Sequence, residues 1–138
     1  MSSARLSVSC GLQITAALAI GLCGLIDPRD QRFIDTVEAI DKNLRTGSVV
    51  RRYLFDDGLP GTEGGFHICT AWLVEALALI GEQARAEALF DEMCDRAGPT
   101  GLLPEQYCEL TNRSLGNHPK AYSHAGLILA AFRLERLR

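Results

Sequence analysis

Apolar positions along the chain fall into five helical blocks, and no segment keeps the two-residue alternation of a half-buried strand. The first block, roughly 12 to 25, is apolar on most faces, the pattern of an inner helix covered all round. Asp27-Pro28 predicts the next start: the carboxylate caps free amide hydrogens, and proline takes a first helical position that needs no donor. Beyond it Phe33, Val37, Ile40 and Leu44 recur at helical spacing among charged residues, and Gly47 is a natural stop. Residues 47 to 65 hold six glycines and prolines together with Asp56 and Asp57, so they read as a loop.

The third block, about 66 to 80, is again apolar nearly all round, with Phe66, Ile68, Cys69, Trp72, Leu73, Val74, Leu77 and Ile80. The fourth, about 82 to 97, is one-sided: Ala86, Leu89, Phe90, Met93 and Cys94 share a face, and Gly98-Pro99 ends it. In the fifth, about 120 to 136, the pattern predicts burial of Ala121, Ala125, Ile128, Ala131 and Phe132. Apolar-all-round and one-sided helices thus alternate. An inner helix must be covered on both sides and an outer one on only one, so the alternation predicts helical hairpins in two concentric layers. A helical-repeat solenoid gives a similar alternation, but the period here is too irregular for a 34-residue repeat.

A chain of 138 residues is long enough to fold alone, burying about 65 to 70 per cent of its unfolded surface. The net charge of -3 comes from interspersed acids and bases. No basic face of the kind that phosphate backbones or anionic lipids require results, which argues against nucleic-acid and membrane-surface partners. The five cysteines, Cys10, Cys23, Cys69, Cys94 and Cys108, have no short paired spacing, which points to a reducing, cytoplasmic setting. Neither a Cys-x-x-Cys pair nor a His-Glu-x-x-His run is present, so no metal or other cofactor is expected. Residues 6 to 26 weakly imitate a signal peptide or membrane span, but Gln13, Thr15 and several glycines and serines interrupt the run.

The chemistry-bearing stretch is Gly101-Leu-Leu-Pro-Glu105-Gln-Tyr107, with one carboxylate in an irregular segment between helical blocks, followed by Gly116-Asn-His-Pro-Lys-Ala-Tyr-Ser-His124. Upstream stand Arg51-Arg52-Tyr53-Leu54-Phe55-Asp56 and Gly61-Thr-Glu63-Gly-Gly-Phe66. On residue type alone Glu105 is a solvated loop carboxylate, Arg52 a surface partner of Asp56 or Asp57, and the aromatics are core. His67, His118 and His124 lack ligand spacing and read as polar lining or satisfied buried residues.

Together with Ala16-Ala17-Leu18 through Asp27-Pro28, these segments resemble, in order and spacing, the last part of the catalytic domain of glycoside hydrolase family 15, the glucoamylase and trehalase-like enzymes. The resemblance implies an all-α chain, 1–138 as a single piece, forming about five helices of a twelve-helix (α/α)6 toroid. It implies inverting hydrolysis of α-glucosidic bonds, in which an acid protonates the leaving oxygen and a base about 6.5 to 9.5 Å away deprotonates a water. Glu105 takes the place of that general base. Arg52, Asp56, Glu63, Phe66, Tyr107 and Tyr122 take sugar-binding places, with an α-glucoside or oligosaccharide as substrate. No carboxylate matches the family's general acid. A truncated piece, inactive alone and prone to self-association or to pairing with a complementing fragment, is therefore expected. The sequence departs from the family's pattern at Cys108, His118 and Lys120. A helical protein-interaction module is the alternative; it has no reason to keep Glu105, Arg52 and Asp56 together.

Overall fold

In the computed structural model, which describes residues 14–56, 58, 60–61 and 63–137, the second helix begins later than Asp27-Pro28 predicts. Asp30 is the cap: its side chain accepts the Arg32 amide hydrogen at 2.9 Å, and helix α2 runs over Gln31–Leu44. Asp27 instead accepts the Arg29 amide in the preceding turn. The expected core stripe of α2 holds, with Phe33, Val37, Ile40 and Leu44 all buried.

The first block is shorter than its apolar run. A 3-10 turn over Thr15–Leu18 leads into α1, Ala19–Leu22, and residues 12 and 13 lie outside the described residues. Leu18 is buried but Ile20 is exposed, so this block is not covered all round. Its anchor is polar: the Thr15 amide and hydroxyl donate to the carbonyls of Arg52 and Arg51 at 2.9 and 2.6 Å.

Helix α3, His67–Leu79, is the inner helix that its sequence predicts, with every residue buried except Trp72 and Leu79. Helix α4, Gln83–Asp95, covers it with Ala86, Leu89 and Met93, while Cys94 is exposed. On the outer side, α2 and α4 are tied by charge: Arg85 donates to Glu38 and Asp41 at 2.7 and 2.6 Å, and Arg45 reaches Asp41 and Glu92.

Helix α5, Ala121–Arg136, packs on α3 with the opposite face from the one expected. Its buried residues are Ser123, Gly126, Ala130 and Leu134. Ala121, Ala125 and Ala131 are exposed, and Ile128, Leu129 and Phe132 are 55, 55 and 58 % exposed. The reason is steric. A side chain at Gly126 would stand 2.8 Å from the Ile68 Cδ1 and 2.9 Å from the Ala71 Cβ, so the small-residue face alone permits this helix separation. The large residues marked by periodicity occupy the other face.

The expectation of an all-α chain is corrected by a five-stranded antiparallel sheet in the order β1-β2-β3-β4-β5. Its strands are Arg45–Thr46, Val49–Val50, Gly65–Phe66, Gln106–Cys108 and Arg113–Leu115. Strands of two or three residues are too short to show an alternating pattern. Val50 pairs with Phe66, Phe66 with Gln106, and Gly65 with Tyr107. The sheet thereby joins the start of α3 to the segments on either side of Glu105.

Candidate functional site

Glu105 stands immediately before β4, where backbone bonds hold it on two sides. Its carbonyl accepts the His67 amide hydrogen from the start of α3 at 3.2 Å, and its own amide donates to the Asn117 carbonyl at 2.9 Å. The carboxylate is held by three donors. Oε2 accepts the Asn117 amide at 3.1 Å and the Asn117 Nδ2 at 3.0 Å, while Oε1 faces the Lys120 Nζ at 3.1 Å. A carboxylate offers about four acceptor positions, so among the described residues one is left, on Oε1. The side chain is 24 % exposed, which gives water access to it. The Asn117 backbone amide first, then Lys120, hold the Glu105 carboxyl below the usual carboxylate range, so it is ionised at neutral pH. Gly116 makes the arrangement possible: at φ +72° it turns the chain where a Cβ would lie 2.7 Å from Oε2.

Phe66 supports the arginine loop. Opposite Gln106 in the sheet, its ring carries the Arg52 guanidinium, with Cζ 4.6 Å from the ring centroid. The same Cζ stands 4.9 Å from the Tyr53 centroid, and Tyr53 stacks on Phe55 with centroids 4.0 Å apart and planes 17° apart. Arg52 also forms an ion pair with Glu63, through Nη2 to Oε1 and Nε to Oε2, the latter at 3.3 Å. The two side chains are 37 and 38 % exposed, so solvent reaches both of them.

The other expected site residues are more dispersed. Asp56 is exposed and accepts the Gly58 amide hydrogen at 2.8 Å, and Glu63 rather than Asp56 pairs with Arg52; Asp57 lies outside the described residues. Tyr107 does not join Phe66. The pairings Gly65 with Tyr107 and Phe66 with Gln106 put the two rings on opposite faces of the sheet. There Tyr107 receives the Arg96 guanidinium at 4.5 Å, beside a cluster in which Glu109 accepts the Ser48 amide and Arg96 donates to Ser48 and Glu109. Tyr122 lies in the first turn of α5 and is exposed.

His124 and His67 differ. The His124 Nε2 accepts the Leu103 amide hydrogen at 3.0 Å, as a satisfied residue should. His67 corrects that expectation: it is fully buried with neither ring nitrogen partnered, and desolvation lowers its pKa to about 4. His118 is exposed, before a cis peptide bond to Pro119. Sequence reading missed the roles of Asn117, Lys120, Gly116 and the Tyr53–Phe55 stack. The glycine beside a short polar residue at 116 and 117 was the available signal for a turn against a carboxylate. Among the described residues, no group of three or more His, Cys, Asp or Glu side chains is placed to hold a metal, and no helix is long and apolar enough to cross a membrane.

An ionised carboxylate and a half-exposed Arg–Glu pair, on segments joined by the pairing of β3 with β4, are groups that suit a ligand rich in hydroxyls. No family profile matches the chain. It is 40 % identical over 119 residues to the trehalase of Thermoplasma acidophilum, covering 86 % of this chain and 20 % of that protein. It is 40 % identical over 122 residues to the trehalase of Mycobacterium tuberculosis, covering 86 % of this chain and 18 % of the relative. Among solved structures, a wild-type glycosidase matches with TM-score 0.77 and 25 % identity over 94 % of this chain and 38 % of its own. A glycosidase variant in complex with glucose, at 23 % identity and TM-score 0.79, shares the fold over the same portions. The chain spans about a fifth of the length of the curated trehalases it matches. These likenesses support reading it as a stretch of a glycoside hydrolase.

Proposed function

We propose that the chain is the part of an inverting glycoside hydrolase of family 15, acting on α-glucosidic bonds, that carries the general base and one wall of the sugar site. The observation that carries this reading is the setting of Glu105. It is ionised, fixed by Asn117 and Lys120, and left with one acceptor position on Oε1. A water donating to that position gives up its proton there as its oxygen attacks the anomeric carbon. Arg52 and Glu63 supply a donor fork and an acceptor for sugar hydroxyls, and Phe66 supplies an apolar face. Asp56, Tyr107 and Tyr122 keep their proposed sugar contacts only with a ligand that spans the loop, the far sheet face and the start of α5.

No carboxylate here has the position of a general acid by resemblance, so the 138-residue chain alone is proposed to be inactive. The helical layers suit a partial toroid, and the open face of α5 suits self-association or contact with a complementing helical segment. The described cysteines are unpaired, in keeping with a reducing, cytoplasmic setting.

The test is a chimera in which this chain replaces the matched stretch of the Thermoplasma acidophilum trehalase. Hydrolysis of an α-glucoside is expected, with the β-anomer formed first by NMR. Glu105→Gln is expected to lower kcat by about 10²- to 10⁴-fold. A folded chimera that keeps its rate with Gln at 105 would exclude Glu105 as the base.

A further inference from the structure

Phe66, Arg52, Tyr53 and Phe55 form a continuous run of contacts at 4.6, 4.9 and 4.0 Å that starts beside Gln106, next to Glu105, and ends in solvent. Exposure rises along it. Phe66, Arg52 and Tyr53 are partly buried, whereas Phe55 is 45 % exposed. Tyr53 covers one face of the Phe55 ring at nearly parallel planes. Hydrophobic packing explains the inner members of the run. It does not explain why an aromatic residue stands half-exposed at its outer end, beside the exposed Leu54 and next to an acidic, glycine-containing stretch.

We propose that Phe55, backed by Tyr53, is the rim of the sugar site and takes the apolar face of a second hexopyranose ring. This rests on the glycosidase reading above and extends it to two residues outside the expected set. An aromatic face carries negative charge density, and the axial C–H groups on one face of a pyranose present the complementary positive edge. Tyr53 holds the Phe55 ring at a fixed tilt, so little side-chain freedom is lost on binding. The position selects the ring. A sugar held by Arg52 and Glu63 lies against Phe66, and the run of contacts carries the next ring of an α-linked chain outward, towards Phe55. Phe55 is thus a specificity residue for chain length, distinct from the hydroxyl-binding pair Arg52–Glu63.

The experiment is ligand titration of the full chain by NMR, with glucose and with the disaccharides trehalose and maltose as probes. The wild-type chain is expected to bind at least one disaccharide more tightly than glucose. Phe55→Ala is expected to reduce that advantage by about two- to tenfold, the range of a single aromatic contact, and to leave glucose binding unchanged. Phe55→Trp is expected to retain it, which separates lost stacking from a disturbed loop. An unchanged disaccharide preference in Phe55→Ala, or no preference in the wild type, overturns the inference while leaving the glycosidase reading intact. Failure of the wild-type chain to bind any of the three sugars overturns the inference, and the chimera described above tests the glycosidase reading separately.

Discussion

Helices α3 and α5 lie side by side and both carry large apolar residues, yet one is sealed and the other is open. Around α3 the turn at Thr15–Leu18, α2, α4, α5 and strand β2 close every direction, so even Thr70 and Glu75 are buried. Helix α5 rests on α3 and α4 through a small-residue face and turns Ile128, Leu129 and Phe132 outward. Hydrophobic periodicity therefore reports which faces require cover. It does not report whether the same chain supplies it.

The contrast is most directly broken by truncating the sealed helix. Leu77→Ala removes a fully buried side chain of α3 and is expected to cost about 2 to 5 kcal/mol in urea denaturation. A loss under 1 kcal/mol would mean that α3 is as loosely covered as α5.

His67 provides the next test. Its folded pKa, about 4, lies below the ordinary 6.5, so the unfolded chain binds a proton that the folded one refuses between these values. Stability contributed by the neutral imidazole is therefore lost as pH falls from 6.5 towards 4. The full difference amounts to roughly 3 kcal/mol. His67→Leu is expected to remove this dependence, so that the variant gains on the wild type as the solution is acidified. Parallel pH–stability curves for the two would show that the imidazole is solvated.

The helix starts differ too, since α3 holds the Glu105 backbone through the His67 amide whereas α5 holds its carboxylate through Lys120. Lys120→Gln is expected to raise the Glu105 pKa, because one of the groups that favour the charged form is gone. An NMR titration of the side-chain carbonyl would show it, and an unmoved midpoint would leave Asn117 as the controlling partner.

The smallest effect on stability belongs to the open face. Phe132→Glu is expected to change unfolding free energy by no more than about 0.5 kcal/mol. It should also weaken concentration-dependent self-association measured by sizing. A large stability loss would show that the face is covered in solution.

Much of the fold was legible where burial follows one helical stripe. The residues Phe33, Val37, Ile40 and Leu44 read as core and are core. The same reasoning chose the wrong face of α5, because packing there is decided by Gly126, Ala130 and Ser123, residues that carry little hydrophobic signal. Paired strands were invisible because each spans only two or three residues, and β3 is set by partners distant in the sequence. In the site, Glu105 and Arg52 stood out by type and context. Their partners did not: Glu63 rather than the nearer acid Asp56 takes Arg52, and the donors that hold Glu105 follow a turn whose geometry depends on Gly116.

The pairing of β3 with β4 also has a kinetic meaning. Phe66 and Gln106 pair across the stretch of chain that makes up α3 and α4, so their pairing closes a loop holding both helices. Helical turns close within microseconds, whereas contacts between distant parts of a chain wait on costly loop closure. On the ribosome, Asn117 and Lys120 emerge later still. The apolar helices are therefore expected to meet before β3 and β4 pair, and the surroundings of Glu105 to assemble late in folding.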